Sequence, residues 1–251
     1  MDDMESAYAI VKYLHIAIGA AALIGFWTAG LARKGGTLHR RAGQVFLLAM
    51  TGIVITAVPM ALYTLHRGHP NTAAFLGYLT VITATGTWAS WRAIVDKRDV
   101  RRYTGAVFTA LAALSIASGA AMLALGTSIR APLLIGFSVV GLYIGSDMLR
   151  KRRRREQLAA RPRWWLIEHY TAMIGNGIAV HIAFLGIGLP RLLPMVDGAA
   201  LHYLAWFGPL VTAIGAKLWA DRRWGPAAIT KPAPDNTAPR PAAVGAKTEP
   251  A

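Results

Sequence analysis

The stretch GGTLHRRAGQVFLLAM, residues 35–50, passes in one step from a basic loop into a long apolar segment. His39, Arg40 and Arg41 stand directly before the apolar residues, which continue with few interruptions to Leu65. A helix crosses roughly 30 Å of hydrocarbon with about 20 such residues. The stretch therefore predicts the start of a transmembrane helix, with its basic residues on one side of the membrane.

The composition is that of a membrane protein. The chain has 251 residues, of which 55% are hydrophobic and 16% charged, and its mean hydropathy is +0.40. It contains no cysteine. Disulfides, thiolate metal sites, catalytic thiols and thioether-linked haem are thereby excluded, and any cofactor must use other side chains.

Seven segments are long and apolar enough to span a bilayer. We place them near residues 8–32, 42–65, 72–95, 105–126, 131–149, 165–189 and 200–219. The predicted fold is an all-α bundle of seven transmembrane helices over residues 1–224. The remainder, residues 225–251, is rich in Pro and Ala and predicts a disordered cytoplasmic tail.

The distribution of Lys and Arg predicts the orientation. With the N-terminus outside, 23 of the 27 basic residues fall on the cytoplasmic side, as the positive-inside rule requires. We therefore expect a multi-pass protein of the inner (cytoplasmic) membrane with a cytoplasmic C-terminus. The run RKRRRREQLAARPR, residues 150–163, predicts contact with anionic lipid headgroups. No nucleic-acid partner is expected, because no base-stacking aromatic pattern accompanies this run.

Small residues recur at four-residue spacing, which predicts close helix packing. They include Ala17, Ala21, Gly25 and Ala29 in the first span and Gly141 and Gly145 in the fifth. Asp147 stands near the inner end of the fifth span and Glu168 at the inner end of the sixth, both near the basic run. We expect interfacial ion pairs there rather than proton transfer, worth about 1 kcal/mol or less because water reaches this depth.

The histidines within the spans are the candidate ligands. His39 and His169 stand near the cytoplasmic face, whereas His15 and His181 stand toward the other face. This layout is typical of a membrane cytochrome that holds haem b between paired imidazoles. Gly19 and Gly43, each four residues after a histidine, would leave room for a flat macrocycle.

Two observations favour other interpretations. His169 and His181 are twelve residues apart, which places them about 120° apart around one helix, so they do not share a face. His39 also fits an interfacial cation beside Arg40 and Arg41, and His181 fits a hydrogen-bonded core residue. A haem-dependent electron carrier or reductase and a non-redox transporter or scaffold both stay open.

Two blocks resemble the signatures of a family of bacterial membrane proteins classed as domain of unknown function 2306. The blocks are LHRRAGQVFLLAM, residues 38–50, and EHYTAMIGNGIAVHIAF, residues 168–184, and the resemblance covers most of residues 10–190. It implies a helical integral-membrane fold and no established activity. Because His39 and His169 each fall within a block, the resemblance favours them over the other histidines. Both stand where their spans enter the membrane from the cytoplasm, so we expect them to meet at that end and to hold the haem iron. His169, Met173, Asn176 and Val180 are expected to line one inward face of the sixth span.

Overall fold

The computed structural model describes residues 2–188, 190, 195 and 198–225, and this part of the chain contains helices and no strand. The helices are α1 (Asp2–Leu31), α2 (Thr37–His66), α3 (Pro70–Val95), α4 (Val100–Tyr103), α5 (Ala106–Ser128), α6 (Pro132–Arg153), α7 (Arg155–Ala159), α8 (Trp164–Ile182) and α9 (Ala199–Trp224). A π-helical segment, Ala183–Gly188, extends α8. The predicted tail lies outside the described residues except for Gly225.

Five of the described helices are long and apolar enough to cross a membrane: α1, α2, α5, α6, and α8 with its π-helical extension. The predicted all-helical membrane fold is confirmed at this level. The count of seven spans is not confirmed, because α3 and α9 fall outside this group although each has 26 residues. In α3 the six Thr and Ser residues lower the mean hydropathy.

The α3 helix occupies the centre of the bundle. It packs against α2, α5 and α8, while the antiparallel pairs α1–α2 and α5–α6 flank it on two sides and α9 packs against α8. Because α1 also contacts α8, the helices α1, α2, α3 and α8 close a ring of four. In this ring α2 and α8 stand opposite each other.

The central helix satisfies its polar groups inside the protein. Tyr78 donates a hydrogen bond from its hydroxyl to the carbonyl of Phe137 on α6 and accepts one, at 2.8 Å, from the backbone N–H of Gly141. Thr85 donates to the carbonyl of Val81 at 2.8 Å and meets the Ser115 hydroxyl at 3.2 Å. Such pairing lets a polar helix stand in an apolar bundle, where unpaired polar groups are costly.

Glycines bring two helix pairs into close contact. A Cβ atom on Gly145 would lie 2.5 Å from the Ala112 carbonyl oxygen on α5, and one on Gly25 would lie 3.2 Å from the Phe46 nitrogen on α2. The predicted packing role of these small residues is confirmed. It is wrong for Ala17 and Ala21, which are exposed. The buried face of α1 carries Ala22, Gly25 and Ala29 instead.

Candidate functional site

His39 lies in the first turn of α2, where a backbone carbonyl fixes its ring. Its Nδ1 atom lies 2.9 Å from the carbonyl oxygen of Ala29, near the end of α1. A carbonyl oxygen only accepts hydrogen bonds, so Nδ1 carries the proton and donates it. In the neutral ring the lone pair is therefore on Nε2, the atom that ligates metals in this arrangement.

His169, on α8, shows the same arrangement with a different helix. Its Nδ1 atom lies 3.0 Å from the carbonyl oxygen of Ser90 on α3, so it also donates and leaves the lone pair on Nε2. Among the described residues, neither this Nε2 atom nor that of His39 has a hydrogen-bond partner. Both rings are therefore held at one nitrogen and free at the other.

These two histidines belong to α2 and α8, the opposite members of the four-helix ring. The end of α1 holds the His39 ring, and the last turns of α3 hold the His169 ring. One turn along α2 from His39, a Cβ atom on Gly43 would meet nothing within 4 Å. The same is true of Gly19 on α1.

An apolar cluster closes the bundle beneath the pair. Met173, one turn after His169, packs with Val180 against a cluster that contains Phe46 and Met50 of α2. Asn176 is 1% exposed and donates a hydrogen bond to the Ser90 hydroxyl at 3.2 Å. The predicted inward-facing stripe on this helix is confirmed.

His15 is positioned by α2 but stands apart from the other histidines. Its Nδ1 atom lies 2.7 Å from the Thr56 hydroxyl, which itself donates to the Gly52 carbonyl at 2.7 Å. Because the Thr56 hydroxyl donates its one hydrogen bond to the Gly52 carbonyl, its oxygen accepts from His15, and Nδ1 is the donor in the first bond. His15 thus resembles His39 and His169 in its tautomer.

His181 does not join His15. Its Nδ1 atom lies 2.6 Å from the Gly177 carbonyl, and its Nε2 atom accepts a hydrogen bond of 3.0 Å from the Trp27 indole. Trp27 is twelve residues from His15 along α1, a rise of about 18 Å. The expected pair of ligands toward the outer face is therefore not formed, because His181 packs near the other end of α1 with both ring nitrogens engaged.

Lys151 joins the two carboxylates that the sequence placed near the basic run. Its Nζ atom lies 2.7 Å from Asp147 and 2.6 Å from Glu168, and Arg150 also pairs with Asp147. The expected ion pairs are confirmed, and they are more buried than an ordinary surface pair. The side chains of Lys151, Asp147 and Glu168 are only 20%, 15% and 10% exposed.

Tyr103 completes this ionic cluster from α4. Its hydroxyl donates to Glu168 at 3.2 Å, and the ring is 1% exposed. Burial, together with the neighbouring Glu168 carboxylate, raises the pKa of Tyr103 well above its ordinary range. The tyrosine therefore stays a neutral donor. Sequence reasoning missed Tyr103. It placed Lys151 only within the basic run, although the Asp147–Lys151 spacing of four residues was a signal for this particular partner.

Asp96 forms a second buried ionic site that sequence reasoning missed. Its side chain is fully buried after the last turn of α3 and pairs with Arg92 at 2.6 Å and Arg102 at 3.2 Å. The four-residue spacing from Arg92 was again the available signal. The contact ties α3 to α4, while Lys97 lies over the ring of Trp165 and ties the same loop to α8.

Among the described residues, no group of three or more His, Asp or Glu side chains could hold a metal ion. The resemblance to the family of unknown function stays a prediction. The chain matches no protein-family model, no curated protein and no solved structure.

Proposed function

We propose that this integral membrane protein binds haem b between His39 and His169 and carries electrons. The observation that supports the proposal most strongly is the shared tautomer. Both rings donate from Nδ1 to a backbone carbonyl on another helix, and among the described residues neither Nε2 atom has a hydrogen-bond partner. A carbonyl behind a ligating imidazole fixes its orientation and raises its basicity.

The residues present fit such a group. A haem iron with two imidazole ligands supplies one-electron transfer without an open coordination position. In the part of the chain that the structure describes, no side chain lies within 4 Å of a Cβ position on Gly43, and the cluster around Phe46 and Met173 supplies apolar surface for the ring. Arg40 and Arg41, both exposed next to His39, supply cations for the haem carboxylates.

We further propose that α3 and α9 also cross the membrane, which gives seven spans with the N-terminus outside. At about 39 Å, a helix of 26 residues is long enough. Because α2, α5 and α8 surround α3, little of it meets lipid, and its low hydropathy is not a barrier. The 23-to-4 division of basic residues supports the orientation in the inner membrane.

The absorbance spectrum of the purified full-length protein tests the haem proposal. We expect reduced-minus-oxidised spectra with the bands of haem b, and we expect His39→Ala and His169→Ala each to remove them. His202→Ala is the matched control, since this histidine is exposed on α9 and should leave the spectrum unchanged.

Two results would contradict the proposal. The first is a wild-type protein that, supplied with haem during expression, folds and shows no haem absorbance. The second is a wild-type spectrum that survives both substitutions. Circular dichroism of each variant separates the loss of a ligand from the loss of the fold.

A further inference from the structure

A cleft lies between α5 and the basic end of α6. It contains a cavity of about 300 Å³, which is lined by Ile116, Ser146, Leu149, Arg150, Arg153 and Arg154. A second cavity, of about 470 Å³, shares Leu149 and Arg153 with the first and also borders Arg155 of α7. The two cavities thus form one recess with arginines along its rim.

The recess carries an excess of positive charge. Its lining contains five arginines, residues 150 and 152–155, and one carboxylate, that of Glu156. Arg150 pairs with Asp147, but in the part of the chain that the structure describes no ion pair joins Arg153, Arg154 or Arg155 to a carboxylate. The recess therefore attracts a further anion.

The wall of the recess on the membrane side is apolar. Ile116 and Leu149 line it, and Tyr143 continues the same face of α6 toward the middle of the helix with 68% of its surface exposed. The glycine contacts between α5 and α6 hold this groove in a fixed shape. Cations at one end and an exposed apolar surface beyond them match an amphiphile with an anionic head, rather than a small soluble anion.

We propose that this recess binds an anionic glycerophospholipid of the inner leaflet, with its phosphate on Arg153 and Arg154 and an acyl chain along Ile116 and Tyr143. The planar guanidinium of arginine forms paired hydrogen bonds with phosphate oxygens. Basic pockets between transmembrane helices on the cytoplasmic side recognise lipid headgroups by this chemistry. The proposal does not depend on haem.

Native mass spectrometry of the full-length protein in detergent tests it. The probes are phosphatidylglycerol and phosphatidylcholine with identical acyl chains. We expect the wild type to bind phosphatidylglycerol at least about tenfold more tightly, and Arg153→Gln with Arg154→Gln to lower that affinity about tenfold. Arg222→Gln with Arg223→Gln removes the same charge from α9, which packs against α8 and does not line the recess, and should change the affinity less than about twofold.

A second variant tests the cavity without changing charge. Ser146→Trp fills the first cavity and should weaken phosphatidylglycerol binding about tenfold, whereas Ser146→Ala leaves the space open and should have no effect. If the double arginine variant fails to insert into the membrane, the two Ser146 variants still test whether the lipid occupies the recess.

Three results would overturn the proposal. The two arginine pairs lower the affinity equally, which indicates general surface charge. Inorganic phosphate at the concentration of the lipid displaces it, which indicates a soluble-anion site. Ser146→Trp binds phosphatidylglycerol as tightly as Ser146→Ala, which shows that the lipid lies elsewhere.

Discussion

Replacing Lys151 by methionine would leave Asp147 and Glu168 facing each other without the ammonium group that joins them. The lysine nitrogen lies 2.7 Å and 2.6 Å from these carboxylates. Methionine keeps most of the volume of the side chain and removes only the charge and its hydrogen bonds. The change therefore isolates the electrostatic contribution of the cluster.

The burial of the cluster sets the expected magnitude. An exposed ion pair contributes about 1 kcal/mol or less, but removing one partner of a buried pair costs about 3–5 kcal/mol. With Lys151 only 20% exposed, the second range applies, and we expect Lys151→Met to lower the free energy of unfolding by about 3–5 kcal/mol. Glu168→Gln in the same chain should restore part of this loss, since it removes the carboxylate charge that Lys151→Met leaves without a cation.

Unfolding in mixed micelles, followed by circular dichroism as the fraction of dodecyl sulfate rises, measures this free energy. Arg152→Met is the matched control, because this neighbouring arginine is exposed and its change should stay within about 0.5 kcal/mol. A loss for Lys151→Met below about 1 kcal/mol, or equal to that of the control, would show that water screens the cluster and that the burial argument is wrong.

Three further outcomes follow from other parts of the structure. Gly145→Ala should lower the free energy of unfolding by about 1–3 kcal/mol, because its Cβ atom would lie 2.5 Å from a carbonyl oxygen of α5. Gly77→Ala on α3, where nothing lies within 4 Å of the Cβ position, is the control and should be neutral or stabilising. The same micelle titration compares the two variants, and equal effects would contradict the close-packing argument. The raised pKa of Tyr103 means that above pH 10 the unfolded chain loses a proton that the folded chain keeps, so stability should fall as the pH rises, and Tyr103→Phe should make that fall shallower; parallel pH curves for the two proteins would refute this role. A reporter enzyme fused after Ala251 should be active in the cytoplasm, and activity only on the external side would reject the proposed orientation.

Much of the helical architecture could be predicted, because it depends on local properties. A long apolar run must form a helix in a membrane, since no water is present there to bind an open backbone. The helix α2 was predicted at 42–65 and observed at Thr37–His66. The helix α3 was predicted at 72–95 and observed at Pro70–Val95, but its threonines lower its hydropathy, so its own composition does not assign it to the membrane.

The candidate site was predictable only in part. The sequence identified His39 and His169 as ionisable residues at similar depth, because the depth of a residue follows from its position along its span. It also offered His181 as a ligand, but Trp27 on α1 occupies its Nε2 atom. Which partner a histidine meets depends on helix adjacency, and no spacing within one helix specifies that.

The sequence by itself determined the class of the protein: apolar length, the absence of cysteine and the one-sided distribution of Arg and Lys are properties of the chain before it folds. The tautomers and ion-pair partners of the side chains depend on tertiary contacts. Carbonyls on α1 and α3 fix the tautomers of His39 and His169, and carboxylates of α6 and α8 enclose the ammonium group of Lys151. The physical reason is range: hydropathy acts on each segment separately, whereas hydrogen bonds and ion pairs act over about 3 Å and exist only after the helices have packed.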